Sequence, residues 1–174
     1  KNNLMHAVAS NQTTRHGDSN GHVLRELRVP QNPNDSLLPI IQTLFLQNKS
    51  MLTAKNIDGH TPLMVAVLAG ESSVVSSFLM LARREMPHDK FVQFVNDKDL
   101  LGRDLLLMAM EAEMHVNDIN KVDRYMRIGQ QLIKAGSYVT DPVIFMIRAA
   151  RKRYSNTSAR DSTEKLTQFA LVST

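Results

Sequence analysis

The sequence predicts an all-α protein built from repeated helix pairs, and three observations lead to this prediction. Apolar residues recur at three- and four-residue spacing in several segments, which is the period of a helix with one buried face. No segment shows sustained two-residue alternation, the period of a half-exposed strand. Short stretches of similar sequence also return along the chain, which is typical of repeat architectures.

Three segments show the helical period most clearly, at residues 37–45, 74–82 and 122–133. In each, the apolar positions fall on one side of a helix, so each segment is expected to bury one face. Residues 91–95 form a short apolar stretch before Asn-Asp, and we interpret this stretch as strand-like.

Three other segments have the composition of loops. Residues 11–35 are rich in Asn, Gly, Ser, Thr and Pro, and within them residues 23–29 form an apolar island, either a short helix or a docked segment. Residues 86–90 contain Pro87, which should end the preceding helix. Residues 151–160 are a basic, polar connection between the last two helical segments.

An internal repeat runs through the chain. Residues 59–66 are Gly-His-Thr-Pro-Leu-Met-Val-Ala and residues 102–109 are Gly-Arg-Asp-Leu-Leu-Leu-Met-Ala, an offset of 43. Residues 141–144 continue the pattern at a further offset of 37, and residues 4–8 precede the similar residues 63–67 by 59. Each match is expected to mark the start of one helix pair.

The repeated residues suit a turn followed by a helix start. Gly59 can adopt the positive φ that a tight turn requires. Thr61 is a good N-cap, and Pro62 would stand at the first helical position, where no backbone donor is lost. Asp104 and Asp141 replace Thr61 in the later repeats and are expected to cap equally well.

At these residues the chain resembles the ankyrin repeat family, whose unit is a β-turn and two antiparallel helices. The family's pattern Asp/Asn-x-x-Gly-x-Thr-Pro-Leu-x-x-Ala is carried by Asn56, Gly59, Thr61, Pro62, Leu63 and Ala66. Residues 132–139 are similar to the family's closing Leu-Leu-x-x-Gly-Ala-Asp-Val. The family's His after Thr-Pro-Leu is absent, since Met5, Met64 and Leu107 occupy the equivalent positions.

The resemblance implies an ankyrin-repeat solenoid of about four stacked helix-turn-helix units with short β-turn connections. The units would form a single domain over residues 1–174. Their expected bounds are residues 1–56, 57–99, 100–139 and 140–174. Because such units cannot bury their faces alone, they are expected to be stable only as a stack.

Composition excludes several classes of function. The chain has 174 residues and no Cys, so disulfides, zinc-thiolate sites and thiol catalysis are excluded. Its apolar runs are too short to cross a bilayer, so no membrane insertion is expected. The net charge of +4 falls short of a dedicated nucleic-acid binder, so nucleic acid is not the expected partner. The chain starts at Lys1, and we expect a segment of a longer cytoplasmic or nuclear protein.

No catalytic motif or phosphate-cradling glycine loop is present, so the chain is not expected to be an enzyme or to need a cofactor. His16, Asp18 and His22 could form a metal triad, but a solvated loop is the preferred interpretation. Glu111, Glu113 and His115 lie at or near a helix end, which we expect to be solvated.

The resemblance implies that a partner would bind the turn tips and the inner face of each first helix. The residues at these positions are Ile57, Asp58, His60, Leu68 and Ala69 in the second unit and Leu100, Leu101, Arg103, Glu111 and Ala112 in the third. Four of them are sizeable aliphatics at positions that usually face water, which favours a protein or peptide partner. Alternatively, an inserted loop such as residues 23–29 covers them.

The sequence therefore predicts an ankyrin-type module that binds a partner protein or peptide, or another domain of its own chain, as an adaptor, substrate-recruiting or regulatory domain. A second possibility is contact with an anionic surface or nucleic acid through the densest basic cluster, Arg148, Arg151, Lys152 and Arg153, with Arg160 beside it. A third is a purely structural or autoinhibitory spacer.

Overall fold

A computed structural model describes His6 and residues 38–172 of the chain. Every regular element in this part of the chain is helical, which confirms the all-α prediction. The elements are α1 (Leu38–Gln47), a 3-10 helix (Lys49–Leu52), α2 (Pro62–Leu68), α3 (Ser72–Glu85), α4 (His88–Val95), α5 (Leu105–Met114), α6 (Ile119–Ala135), α7 (Asp141–Arg153) and α8 (Arg160–Val172).

The helices contact one another in two rows. Consecutive helices form the pairs α2–α3, α5–α6 and α7–α8. The first helices of these pairs contact in the order α2, α5, α7, and the second helices contact in the order α1, α3, α6, α8. Helix α4 lies outside this pairing and contacts α3 and α6. Each turn that precedes a first helix is thereby placed at the same end of its pair.

The starts of α2 and α5 follow the sequence prediction. The Thr61 hydroxyl accepts a hydrogen bond from the Met64 amide at 3.3 Å, and Pro62 is the first helical residue. The Asp104 carboxylate accepts from the Leu107 amide at 2.8 Å. These side chains satisfy amides that have no partner within the helix.

The start of α7 differs from the prediction. Thr140, rather than Asp141, is the N-cap, because the Ile144 amide donates to the Thr140 carbonyl at 3.0 Å and closes the first helical turn there. Asp141 is instead the first helical residue. Its carboxylate still lies at the positive end of the helix dipole, where negative charge is favourable.

The prediction of a loop at 86–90 and a strand-like stretch at 91–95 is wrong, because α4 spans residues in both. Phe91, Phe94 and Val95 are buried on one side of this helix. Their spacing fits a helical period, but the helix is too short for the sequence to distinguish it from a strand. Pro87 occupies the N-cap position, where its lack of an amide proton costs nothing.

The core lies between the two rows of helices and consists of aliphatic and methionine side chains. The apolar faces predicted for α3 and α6 are buried, and so are Ile41, Leu44 and Phe45 of α1. A Cβ on Gly129 of α6 would come within 3.1 Å of Leu166 Cδ1. Glycine at this position therefore lets α6 and α8 approach closely. None of the described helices combines the length and apolarity needed to span a membrane.

Candidate functional site

The turns that precede α2 and α5 have the same backbone geometry. Gly59 and Gly102 adopt φ values of 76° and 77°. In the first turn the Asn56 amide donates to the His60 carbonyl at 2.9 Å, and in the second the Asp99 amide donates to the Arg103 carbonyl at 3.0 Å. The sequence repeat with an offset of 43 is therefore also a repeat of backbone conformation.

In each turn, one side chain accepts hydrogen bonds from two backbone amides of the same turn. Asn56 Oδ1 accepts from the amides of Asp58 and His60 at 3.0 and 2.9 Å. Asp99 Oδ1 accepts from the amides of Leu101 and Arg103, both at 2.9 Å. Because these bonds satisfy the turn's amides internally, the backbone of each tip is fixed.

Asp99 is the electrostatic centre of the second turn. Its side chain is only 1% exposed, and Arg103 contacts its Oδ2 through Nε at 2.8 Å and through a terminal guanidinium nitrogen at 2.7 Å. Burial alone would raise the pKa of Asp99, but hydrogen bonds from Arg103 and Leu101 outweigh burial and lower it below its ordinary value. His60 Nε2 lies 3.6 Å from the same carboxylate oxygen.

Arg103 also links its turn to α5. Its guanidinium contacts Glu111 Oε2 at 3.1 Å. The hydrogen bond to Asp99, followed by that to Glu111, raises the pKa of Arg103. Arg103 and Glu111 are therefore paired within the molecule and help to hold this turn, and His60 lies beside them. That these three residues contact a partner stays a prediction.

Successive turns are tied to one another. The Lys55 ammonium donates to Asp97 Oδ1 at 3.0 Å and to the Lys98 carbonyl at 2.8 Å, which joins the first turn to the second. The Asn96 amide group donates to the Gly136 carbonyl at 3.0 Å and accepts from the Tyr138 amide at 2.8 Å, which joins the second to the segment before α7. The two turns and the segment before α7 are therefore joined in one continuous row.

This row presents apolar side chains to solvent. Ile57, Leu100 and Leu101 are 77%, 74% and 76% exposed. Tyr138, in the extended segment before α7, is also exposed. We call Ile57, Leu100, Leu101 and Tyr138 the turn-tip surface. Asp58 is exposed beside it.

The expectation that Leu68 faces water is not met. Leu68 is half-buried and packs against the core. Its carbonyl accepts a hydrogen bond from the Tyr125 hydroxyl of α6 at 2.9 Å, because α6 reaches across the end of α2 at this point. Burial raises the pKa of Tyr125, so this hydroxyl stays protonated and able to donate. The loop at 23–29, proposed as a cover for the surface, lies outside the described residues.

Sequence reasoning did not single out Tyr138 or Phe145. Tyr138 follows Leu101 at the offset of 37 that relates the two later repeats. The repeat alignment therefore places Tyr138 at the position equivalent to Leu101. Phe145 follows Met108 at the same offset but is exposed, whereas Met108 is buried. The difference arises because α7 covers α5, and no described helix covers α7 in the same way.

The residues of the basic cluster differ in whether they form ion pairs. Arg153 contacts Glu113 Oε1 at 3.4 Å and lies 5.6 Å from the centre of the Tyr154 ring. Arg151 contacts Glu164 Oε1 at 3.4 Å. Arg148 and Lys152 form no ion pair with any residue in the described part of the chain. Only part of the cluster's positive charge is therefore compensated.

The prediction of a solvated helix end is wrong for Glu113, whose side chain is only 1% exposed. The end of α7 covers it, and Arg153 supplies the compensating charge that a buried carboxylate requires. Burial, followed by a hydrogen bond to Glu113, raises the pKa of Tyr154. The phenol therefore remains a donor beside this carboxylate.

No group of His, Asp and Glu residues within the described part of the chain has the geometry to hold a metal ion. His16, Asp18 and His22 lie outside that part. Comparison of the chain with protein families, curated proteins and solved structures found no match. The turns and the surface that they present are therefore the features of the molecule that bear on its function.

Proposed function

We propose that the chain is an ankyrin-type array that binds a partner protein or peptide through the turn-tip surface. Three observations support the ankyrin-type interpretation. The helix pairs contact in two rows, the turns before α2 and α5 repeat their hydrogen bonds, and Thr61 and Asp104 cap equivalent helices.

The observation that carries the binding proposal is the exposure of large apolar side chains on successive fixed turns. An isolated exposed leucine needs no explanation, but adjacent apolar side chains held at one edge favour an interaction site. Leu100 and Leu101 are neighbours on one tip, with Ile57 on the tip before it and Tyr138 in the segment that follows α6. Aromatic and aliphatic groups of this kind are typical anchors of protein interfaces.

The fixed backbone gives these side chains an advantage in binding. The amides of each tip are satisfied by Asn56 or Asp99, and Lys55 and Asn96 join neighbouring tips. A surface that is ordered before binding loses little conformational entropy when a partner docks. Affinity then comes from burial of the apolar side chains rather than from any bound cofactor.

The array would act as an adaptor or regulatory module by holding a partner in a fixed position. The preferred partner has an apolar segment that covers Ile57, Leu100 and Leu101. Exposed charged groups at the border, such as Asp58 and Lys98, would set the orientation of that segment without dominating its affinity.

A peptide selection tests this proposal and does not require the partner to be identified first. A random-peptide phage library is panned against the wild-type protein, and the affinity of enriched peptides is measured by fluorescence polarisation. Leu100→Asp is expected to weaken binding by about 30-fold or more, as for a buried hot-spot residue. Met80→Asp is the matched control, because Met80 is an exposed apolar residue on α3, away from the turns.

The proposal requires that Leu100→Asp lose binding while Met80→Asp retains it and both remain folded by circular dichroism. Equal loss in both variants would indicate non-specific apolar adsorption. Failure to enrich any peptide would instead favour a structural or autoinhibitory spacer. Either result would overturn the proposed binding function.

A further inference from the structure

A second surface feature lies where α7 ends and α8 begins. An open concavity of about 280 Å³ is lined by Arg151, Ser155, Asn156, Arg160 and Glu164. Arg151 comes from the last turn of α7, and Arg160 is the first residue of α8. The connection between the two helices therefore brings two guanidinium groups to one concave site.

Glu164 lies between these guanidinium groups but binds neither closely. Its Oε1 is 3.4 Å from an Arg151 terminal nitrogen, and its Oε2 is 3.8 Å from Arg160 Nε. Close charge-assisted N–O contacts measure about 2.7–2.9 Å. One carboxylate therefore compensates two cations loosely, and both arginine side chains remain more than half exposed.

Nearby residues add positive charge and neutral donors. Lys152 follows Arg151 and forms no ion pair with the described residues. Ser155 and Asn156 complete the wall of the concavity with a hydroxyl and a carboxamide. The Ser155 hydroxyl donates to the exposed Lys152 carbonyl at 3.2 Å, a bond that solvent could replace.

We infer that this concavity binds a phosphate group, with Glu164 as the side chain that leaves when the group enters. A tetrahedral phosphate has enough oxygens to accept from both guanidiniums and from Ser155 or Asn156, whereas a carboxylate has two. Glu164 is more than a third exposed, so its side chain can turn into solvent. The phosphate then replaces one negative charge with up to two.

The lining of the concavity limits the ligand. All five lining residues are charged or polar, and none is an aromatic side chain on which a base could stack, so the site suits a phosphate group rather than a nucleotide or a nucleic-acid chain. The group is free phosphate or the phosphorylated side chain of a serine or threonine in another protein. This inference does not rest on the turn-tip surface, and the two fail or succeed separately.

Titration of the wild-type protein with inorganic phosphate, followed by NMR amide shifts at constant ionic strength, measures this binding. Glu164→Gln is expected to tighten it by about threefold or more, because the competing charge is removed. The double variant Arg151→Ala, Arg160→Ala is expected to weaken it by about tenfold or more. Arg127→Ala is the matched control, since Arg127 pairs with Asp123 on α6 and is as exposed as Arg160.

A charge-preserving variant separates a formed site from diffuse attraction. Arg151→Lys, Arg160→Lys keeps both positive charges but loses the planar donor pairs, so phosphate binding should fall by about threefold or more. Unchanged binding in this variant would overturn the inference. So would an equal effect of Arg127→Ala, or no tightening with Glu164→Gln.

The source of the phosphate is resolved with further probes. Tighter binding of a phosphoserine peptide than of phosphate supports the site and identifies a phosphoprotein ligand, whereas binding of phosphate alone supports the site for the free ion. If the protein binds neither phosphate nor the phosphoserine peptide, the inference is overturned. Binding only to phosphatidylserine vesicles also overturns it, because it would indicate a basic membrane-facing surface.

Discussion

Leu100 packs directly over Gly59, so the second turn contacts the first turn at this point. A Cβ added to Gly59 would come within 2.6 Å of Leu100 Cγ. No side chain can occupy this position without displacing Leu100. The contact therefore sets the spacing between two tips of the turn-tip surface.

Gly59→Ala should destabilise the fold through two effects, a positive φ and a clash with Leu100. Gly102→Ala shares the φ but meets nothing within 4 Å of the added Cβ. We expect a loss of about 1–2 kcal/mol for Gly102→Ala and about 3 kcal/mol for Gly59→Ala, measured by urea unfolding. Adding Leu100→Ala to Gly59→Ala should recover part of the difference, because it removes Leu100 Cγ but leaves the Leu100 backbone nitrogen at 3.0 Å. Equal losses in the two single variants would contradict the contact.

Asp99 should stabilise the second turn both as an acceptor and as a charge. Asp99→Ala removes the acceptors for Leu101 and Arg103 and leaves Arg103 with Glu111 alone. It should cost about 3 kcal/mol, whereas Asp99→Asn keeps one acceptor, as Asn56 does in the first turn, and should cost about 1 kcal/mol. Similar losses in the two variants, measured by urea unfolding, would show that turn closure contributes little.

The lowered pKa of Asp99 also predicts an acid dependence of stability. Its ordinary value is 3.8, and the folded value is lower, so the stabilisation is complete above pH 3.8. As pH falls below 3.8, Asp99 binds a proton in the unfolded state before it does so in the folded state. The free energy of unfolding therefore decreases until the pH lies below the pKa of Asp99 in the folded protein. In the Asp99→Asn variant, this part of the decrease in the free energy of unfolding with falling pH should be absent. An unchanged slope between pH 4 and pH 2 would contradict the assignment.

His6 should make stability depend on pH nearer neutrality. Burial lowers the pKa of His6 from its ordinary 6.5, and its Nε2 lies 2.8 Å from the His60 carbonyl. A neutral ring with the proton on Nε2 can donate this bond. Stability should be complete above pH 6.5 and fall as pH drops from 6.5 through the lower folded value. His6→Gln should flatten this slope in urea unfolding, while the exposed His115→Gln should leave it unchanged.

Arg153 should matter more to stability than Arg151, although both belong to the same basic cluster. Arg153→Ala leaves the buried carboxylate of Glu113 without its cation and should cost about 1–2 kcal/mol, reduced from a fully buried pair because Arg153 is partly exposed. Arg151→Ala should change unfolding by less than about 0.5 kcal/mol. Glu113→Gln should restore part of the stability lost in Arg153→Ala. Equal effects of the two arginine variants would contradict the pairing.

Local signals made the turns and helix faces predictable from the sequence. Gly59, Thr61 and Pro62 specify backbone conformation through their own chemistry, and the apolar faces of α3 and α6 follow from helical spacing. Each requires only neighbouring residues. Leu100 and Leu101 were predicted as tip residues from the resemblance to the ankyrin family.

Features that depend on distant packing were missed. Glu113 is buried because α7 covers it, and Leu68 is half-buried because α6 reaches the end of α2; neither fact is written in the local sequence. Helix α4 was misread because a helix of 8 residues holds too few apolar positions to define its period. The approach of Arg151 and Arg160 to Glu164 also depends on packing, because the connection between α7 and α8 brings these residues together.

NMR spectra of the protein with labelled Ile and Leu methyl groups test the central claim, partner binding at the turn-tip surface, most directly. On titration with a selected peptide, we expect the methyl signals of Ile57, Leu100 and Leu101 to shift. Those of Leu46 and Leu171, which are exposed elsewhere, should not shift. Shifts confined to Leu46 or Leu171, with the turn-tip methyl groups unchanged, would contradict the claim.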